Sequence, residues 1–368
     1  MDISRLHHPR RWVVLILTVS VAVTVALLVT GTVSAKTKKA KAGPLVAFLL
    51  PENVTPRWEG SDAPVFTAAL KKLVPDAQVD VVNALADPSK QQSQAEAELT
   101  KGAKVLVIAA VDSKAAAQIV TKANASGVKV IAYDRMIKSC PLDYYVSFDS
   151  VVVGKVEAKW MADNTKKGAR LVIINGSPAD DNAHLVNKGI HKVLDPLFKK
   201  KAKVKVAEQW VVDWDPTKAQ SAMEQILTKL NNKVGGVVSA NDGMAGGIIA
   251  ALKAQKLAGK VMTTGQDASL EGIQNVIRGY QGVTAFKDFR LQAPAAATIA
   301  AAAIKGTTPS NITSHISNGS VSVPSVMLKV VPVSKTNLKL LVTNGWIKSQ
   351  YGSLAKVCKG MPKKSICK

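Results

Sequence analysis

The stretch KVLVIAAVDSKAAAQIVTKANASGVKVIAYDRMI (residues 104–137) decides the fold. It opens on a short β-branched apolar run and passes Asp112, a residue type that caps helices. An Ala-rich stretch then runs to Gly127, and a second oily run ends in Asp134 and Arg135. Two strands separated by a helix of this length pair in parallel, because antiparallel neighbours need only a tight turn. Parallel strands are covered on both faces, so neither run alternates apolar with polar residues. In open α/β sheets ligands bind outside the carboxyl ends of the strands, which is where Asp134 and Arg135 would stand.

The same alternation extends in both directions. PLVAFLL (44–50), AQVDVVNA (77–84), KVLVIAA (104–110) and VKVIAYD (128–134) read as strands, with helical stretches between them opening on Asp. A second series follows: ARLVIING (169–176), AKVKVAEQW (202–210), GGVVSA (235–240), GKVMTTG (259–265) and GVTAFK (282–287). Two series of β-α-β units predict an α/β protein with two lobes, each a parallel sheet covered by helices.

The 368 residues suit about two domains, and 47% apolar residues exclude global disorder. Residues 1–35 read as an export signal. Arg5, Arg10 and Arg11 precede an apolar segment from Trp12 to Val33, which ends in Val33-Ser34-Ala35. Cleavage after Ala35 is the expectation; an uncleaved anchor is the alternative, since about 20 apolar residues can span a bilayer. Either route places the body outside the cytoplasm. Residues 36–43 form a basic Lys/Ala linker.

The chain carries a formal charge of +23, and residues 36–368, with 46 basic and 25 acidic residues, carry +21. The lysines are spread along the chain without interleaved aromatics, so nucleic acid is not the expected partner. Cys358 and Cys367 are placed to close a small loop in an oxidising compartment, leaving Cys140 free. His184, His191 and His315 lack partners at metal-ligand spacing, and no metal or cofactor is expected.

The predicted strand ends carry a consistent chemistry. They include Pro51–Trp58, Asp112, Asp134, Arg135, Ser177–Asn182, Trp210–Trp214, Asn241, Asp242, Gln266, Asp267, Lys287 and Asp288. Asp112 and Asp242 are expected mainly to cap helices. The remaining carboxylates accept from vicinal hydroxyls, Arg and Lys donate, Asn does both, and Trp offers a flat face to a sugar ring. Catalytic alternatives lack their motifs: no G-x-S-x-G occurs, and NGSPAD and NDGMAGG match neither a dinucleotide fingerprint nor a P-loop.

YDRMI, YYVSFDSVVVGKVEAKWM, GSPADDNAHL, ANDGMAGG, TGQDASLEGIQ and TAFKD, in this order over about residues 44–345, resemble the periplasmic monosaccharide-binding proteins of ABC transporters. The D-xylose-binding subgroup is the nearest. The resemblance implies two Rossmann-like lobes of the type I periplasmic binding protein fold, joined by three crossing strands with the sugar between them. It places ligand contacts on Arg57, Trp58, Asp134, Arg135, Asn182, Trp214, Asn241, Asp267 and Lys287, with Trp210 as a packing residue.

Crossings are expected near Val146–Asp149, Ala285–Lys287 and Val323–Lys329. The first lobe would then hold residues 44–147 plus 287–322, and the second 148–286 plus 323–345. A basic tail, 346–368, lies outside the resemblance. The implied role is a monomeric, non-enzymatic receptor that delivers a monosaccharide, D-xylose first, to a membrane permease. VDWDPTKAQ and FKDFR are closer to the broader glucose, galactose and arabinose binders, and sugar sensing is the alternative role. A transcription regulator of similar two-lobe fold would need an N-terminal helix-turn-helix, where this chain has the export signal.

Overall fold

The computed structural model describes residues 43–368. The expected export signal and most of the linker lie outside the described residues. The first series runs β1 (Leu45–Leu50), α1 (Ala63–Leu73), β2 (Gln78–Asn83), α2 (Pro88–Thr100), β3 (Val105–Ile108), α3 (Ala117–Ala125), β4 (Lys129–Tyr133) and β5 (Tyr144–Phe148). The second runs α4 (Ser150–Asn164), β6 (Ala169–Asn175), α5 (Asp181–Lys199), β7 (Lys203–Trp210), α6 (Pro216–Lys229), β8 (Gly236–Ser239), α7 (Asp242–Ala254), β9 (Thr263–Gln266), α8 (Leu270–Arg278) and β10 (Gln281–Phe286). The chain then continues through α9 (Phe289–Lys305), β11 (Ser314–Ser317), β12 (Ser322–Leu328), β13 (Val331–Ser334), α10 (Leu340–Thr343), α11 (Trp346–Tyr351) and α12 (Leu354–Cys358).

These elements make two α/β lobes. The first sheet has the order β11-β12-β5-β4-β3-β1-β2, and the second β13-β10-β9-β8-β6-β7. All pairings are parallel except β11 with β12 and β10 with β13. The strands opened by β-branched runs are buried along nearly their whole length, as parallel strands between two helix layers must be. Gln91 and Ile119 lie on helices covering one face of the first sheet, while Phe66 and Ala297 cover the other.

Three connections cross between the lobes, at Asp149, at Lys287-Asp288 and at Lys329-Val330. The third differs from the sequence reading, which begins second-lobe chain at residue 323. Strand β12 instead pairs in parallel with β5 in the first sheet. Its alternating residues explain why: Val323 and Val326 fill the cores on the two opposite faces of that sheet. First-lobe chain therefore continues to Leu328, and β13 begins the return to the second sheet.

The C-terminal segment is docked rather than loose. Trp346, Ile347 and Val357 are buried in a cluster with Phe286, Phe289 and Leu338, and Cys358 and Cys367 are disulfide-bonded. Cys140 is free and buried.

Helices α4 and α5 pack unusually closely because each carries a glycine at the crossing. A Cβ at Gly154 would strike the Val186 carbonyl, and one at Gly189 the Val151 carbonyl. Gly189→Ala is therefore expected to lower unfolding free energy by about 1–3 kcal/mol, the usual effect of overpacking. Denaturant melts of the two proteins check this; an unchanged midpoint would show that the helices can separate freely.

Candidate functional site

The first lobe supplies Arg57 and Trp58 from the loop and short helical turn after β1, and Asp134 and Arg135 from the end of β4. The second supplies Asn182 from the start of α5, Trp214 after β7, Asn241 after β8 and Asp267 after β9. Lys287 stands on the second crossing. All nine residues line one cavity between the lobes, together with Thr55, Asp180 and Gln266.

Asp134 is at the centre. Its Oδ2 accepts from Arg57 Nη1 at 2.9 Å, and its Oδ1 accepts from Asn182 Nδ2 at 3.1 Å. Its carbonyl accepts from Ser147 Oγ at 2.7 Å and from Asn182 Nδ2 at 3.0 Å. Burial by itself would raise this carboxyl, but Arg57, Lys287 and Arg135 together hold it well below the ordinary carboxylate range.

Arg57 is held rigidly. A fork joins its Nε and Nη2 to Asp62 at 2.9 and 2.7 Å, Nη2 also donates to Gln292 Oε1, and the guanidinium lies 3.7 Å from the Phe289 ring centre. Asp62, read from sequence as a residue near a helix cap, makes no cap hydrogen bond and serves this fork instead. Arg135 reaches Asp180 in the second lobe at 3.0 Å, Glu52 at 3.3 Å and the Ala110 carbonyl at 3.1 Å. Glu52 also accepts from the Trp58 indole at 2.6 Å, which sets that ring beneath both guanidinium groups.

On the second lobe, Asn241 caps α7 by accepting from Met244 N at 2.8 Å. The cap role expected of Asp242 thus belongs to its neighbour, and the Asn241 amide nitrogen remains as a donor. Asp242 is a buried acceptor from Gln281, Ser269 N and Thr284. Asp112 does accept from the backbone of Lys114 and Ala115. Lys287 Nζ is 2.8 Å from Asp267 Oδ1 but off the hydrogen-bond direction, so that buried oxygen accepts no hydrogen bond among the described residues. The Trp214 indole donates to Asp180 at 3.2 Å, and its ring fits only because residue 176 is glycine. Trp210 is half-exposed against His184 and lies outside the cavity.

Three of the nine hold positive φ: Asp134 (65°), Trp214 (58°) and Asp267 (93°). Such backbone costs about 1–3 kcal/mol per residue and persists where the surroundings enforce it, often at binding sites. The cavity measures about 30 Å³, room for about one water, and adjoins a chamber of about 480 Å³ that shares Thr55, Arg57, Trp214, Asn241 and Asp267. The polar groups here bond mainly to one another, with cations matching the carboxylates. A neutral ligand rich in hydroxyls could exchange for these internal bonds as the lobes part. Among the described residues no group of His, Cys, Asp and Glu is arranged to hold a metal ion.

Sequence reasoning missed Asp62 and Gln292, which reach the site from a helical turn and from within α9, where strand-end logic does not look. Asp180 and Gln266 stand among the polar strand ends without having been singled out.

Behind the second-lobe strand ends lie two buried acids. Burial and then the Asp267 charge push Asp242 up to about 7. Glu157, on α4, is raised well above the ordinary value by burial and by Asp242 and Asp267, and neither of its oxygens has a hydrogen-bond partner. A carboxyl raised in the folded state contributes stability that is complete below its unfolded pKa and lost as pH rises through the folded value. Stability should therefore decline from about pH 4 toward pH 7 on account of these two groups. Glu157→Gln, which mimics the protonated acid, should flatten the decline and melt higher than the parent at neutral pH. Thermal melts across that range decide; parallel curves would show that Glu157 is ionised in the fold.

The comparisons with known proteins agree with this geometry. The model of the periplasmic binding protein domain family matches residues 46–308. The D-xylose-binding periplasmic protein of Escherichia coli is 39% identical over 315 residues, covering 85% of this chain and 92% of that one. The protein of the same description from Haemophilus influenzae is 39% identical over 283 residues, covering 77% and 83%. Among solved structures, the carbohydrate transporter solute binding protein from Chloroflexus aurantiacus in complex with D-glucose superposes with a TM-score of 0.75 at 32% identity. That alignment covers 82% of this chain and 96% of that one.

Proposed function

The chain belongs to the periplasmic binding protein domain family, and from that premise we propose that its interlobe cleft captures D-xylose and hands it to a membrane permease. It is an extracytoplasmic sugar-binding protein of ABC transporters and not an enzyme. The convergence of the nine predicted residues on one cavity supports a sugar site, and the 39% identity to D-xylose-binding periplasmic proteins favours D-xylose.

In this reading Asp134 and Asp267 accept from sugar hydroxyls; Asp267 Oδ1, ion-paired with Lys287 at 2.8 Å, accepts no hydrogen bond among the described residues. Arg57, Arg135, Lys287, Asn182 and the Asn241 amide donate. Trp58 and Trp214 offer apolar faces to the C–H sides of the ring. Opening parts Asn182 from Asp134 and Asp180 from Arg135; closing over a sugar replaces self-pairing with bonds to ligand and presents both lobe faces to the permease. The protein acts as a monomer in this scheme, and nucleic acid has no part in it.

Calorimetry with pentoses and hexoses tests the reading. D-xylose should bind one-to-one with a micromolar constant, about −8 kcal/mol, and at a hundredfold excess over that constant should stabilise the fold by about 2.7 kcal/mol. Asp267→Asn keeps a residue tolerant of positive φ and should weaken binding by about 2–3 kcal/mol, as loss of a charged acceptor does. No thermal shift with any aldopentose or aldohexose would remove the sugar assignment.

The second reading, a broader aldose binder acting in sugar sensing, draws on the D-glucose complex of the Chloroflexus aurantiacus relative. The two sugars differ by an exocyclic CH₂OH. A glucose-shaped cleft would still accept xylose at a loss of about 1–3 kcal/mol, whereas a xylose-shaped one excludes glucose by clash. Competition between the two distinguishes them: tight glucose with undetectable xylose overturns the xylose reading alone.

A further inference from the structure

The two lobes share one architecture, so each is a control for the other. In a parallel α/β lobe the strands begin and the covering helices end at the pole away from the cleft. Helix C-termini carry partial negative charge, which favours lysines at both poles alike.

Four loops form much of the second-lobe pole: TKKG (165–168) after α4, KKKA (199–202) after α5, KLNNKVG (229–235) at the end of α6 and KLAGK (256–260) after α7. They contain nine lysines, all exposed, and no Asp or Glu. Backbone and side-chain bonds tie the loops together. Gly168 N donates to Ala202 O at 2.8 Å, Gly235 N to Arg170 O at 2.7 Å, and Asn232 Nδ2 to Gln255 Oε1 at 3.1 Å. Among the described residues none of the nine lysines lies within 4 Å of a carboxylate, although the neighbouring Lys159 and Lys205 do.

The first-lobe pole is mixed instead: its exposed Lys71, Lys72 and Lys305 make no ion pair among the described residues, but three other lysines do. Lys101 pairs with Asp80 at 3.1 Å and Glu98 at 2.8 Å, Lys129 with Asp143 at 2.7 Å, and Lys122 with Glu96. Compensation of helix dipoles therefore accounts for lysines at both poles but not for the larger unpaired excess at one, where the flanking Asp163 and Asp195 pair with Lys159 and His191 instead. Nine unpaired like charges repel one another, and an anionic surface would relieve that repulsion.

We infer that the cationic pole of the second lobe docks this protein on a bilayer of anionic phospholipid headgroups. The ammonium groups are spread over separate loops on flexible stems rather than gathered around one anion. Of the guanidinium groups at this pole, Arg170 donates to the Lys233 carbonyl at 2.7 Å and Arg278, in the last turn of α8, reaches Asn275 Oδ1 at 3.5 Å. Lysine point charges without guanidinium forks suit a planar array of phosphates better than a discrete bidentate anion. Residues 12–33, the apolar segment expected to lead the chain across a membrane, make a bilayer the surface at hand. The pole lies at the amino ends of the strands and the cleft at their carboxyl ends, so docking leaves the cleft free.

The test uses the chain from Ala42 onward, the compact unit that carries all the core clusters described above. It is sedimented with phosphatidylcholine vesicles with and without phosphatidylglycerol. Binding should require the anionic lipid and disappear as salt rises from about 0.01 to 1 M. The triple variant Lys199→Glu, Lys200→Glu, Lys201→Glu should bind at least tenfold more weakly. The first-lobe control Lys71→Glu, Lys72→Glu, Lys305→Glu, with the same net charge, should bind within twofold of the parent. Equal losses in both variants would show that net charge alone drives binding, and no association with anionic vesicles would end the proposal. Capture by soluble polyphosphate without vesicle binding would assign the pole to a linear polyanion and overturn it as well.

Discussion

The buried Asp134 carboxylate is the constraint around which the site is arranged. A carboxylate removed from water is expensive unless paired and hydrogen-bonded, and here Arg57 bonds it from the first lobe, Asn182 from the second, while Lys287 lies 4.0 Å away on a crossing. One anion thereby touches both lobes and the hinge. Its own backbone is bent to φ 65° and its carbonyl is held by Ser147 and Asn182, so the position of the charge is fixed before any ligand arrives. Separating the lobes removes Asn182 from this carboxylate and exposes it to water, which stands in for the lost bonds. Closure and opening are consequently near exchanges of hydrogen bonds, each worth little net. A ligand that supplies several hydroxyls at once can tip such a balance.

That balance places a demand on the residues behind Asp134. Arg57 must stay aimed at the cavity through opening and closing, and the Asp62 fork, Gln292 and the Phe289 ring all belong to or pack with the first lobe side of the crossing. Trp58 is fixed in the same way by Glu52. The first lobe thus presents a preformed half-site, and preorganisation lowers the entropy lost on binding. The second lobe contributes the residues whose partners change, Asn182 and Asp180, from the N-terminal turn of α5. Behind them Glu157 and Asp242 add buried acid next to Asp267. Their preference for the protonated state keeps negative charge from accumulating behind the Asp267 carboxylate that lines the cavity.

Much of this was legible in the sequence, for a definite reason. Once residues 104–137 specify a parallel β-α-β unit, the direction of the strands in both β-α-β series follows, and side chains at their carboxyl ends must converge on one side of the sheets. Asp134, Asn241 and Asp267 are readable on that rule alone. Asp62 and Gln292 are not, because they approach from a helical turn and a helix interior, and their target is another side chain rather than the cavity. Strand β12 escaped for a different reason. Its sequence, SVPSVML, mixes Ser and Pro with the valines, and only the observed partner strand shows that Val323 and Val326 fill opposite faces of the first sheet. The exchange of roles between Asn241 and Asp242 turns on one residue of register, finer than a pattern of apolar runs resolves.

The second lobe also keeps two kinds of charged surface at opposite poles. At the carboxyl ends of its strands the chain is fixed by caps, positive φ and a glycine under Trp214, and the groups there are buried, few and of both signs. At the amino ends nine loop lysines are exposed and of one sign, and Lys203 alone is buried among them. Buried groups of mixed sign discriminate by geometry, since an unmatched partner leaves a desolvated charge. Exposed groups of one sign cannot discriminate in that way; they set only the local concentration near an oppositely charged surface, over about 10 Å at moderate salt. Because a parallel lobe keeps its strand beginnings and strand ends at opposite poles, the charge at one pole can vary without disturbing the register of the other.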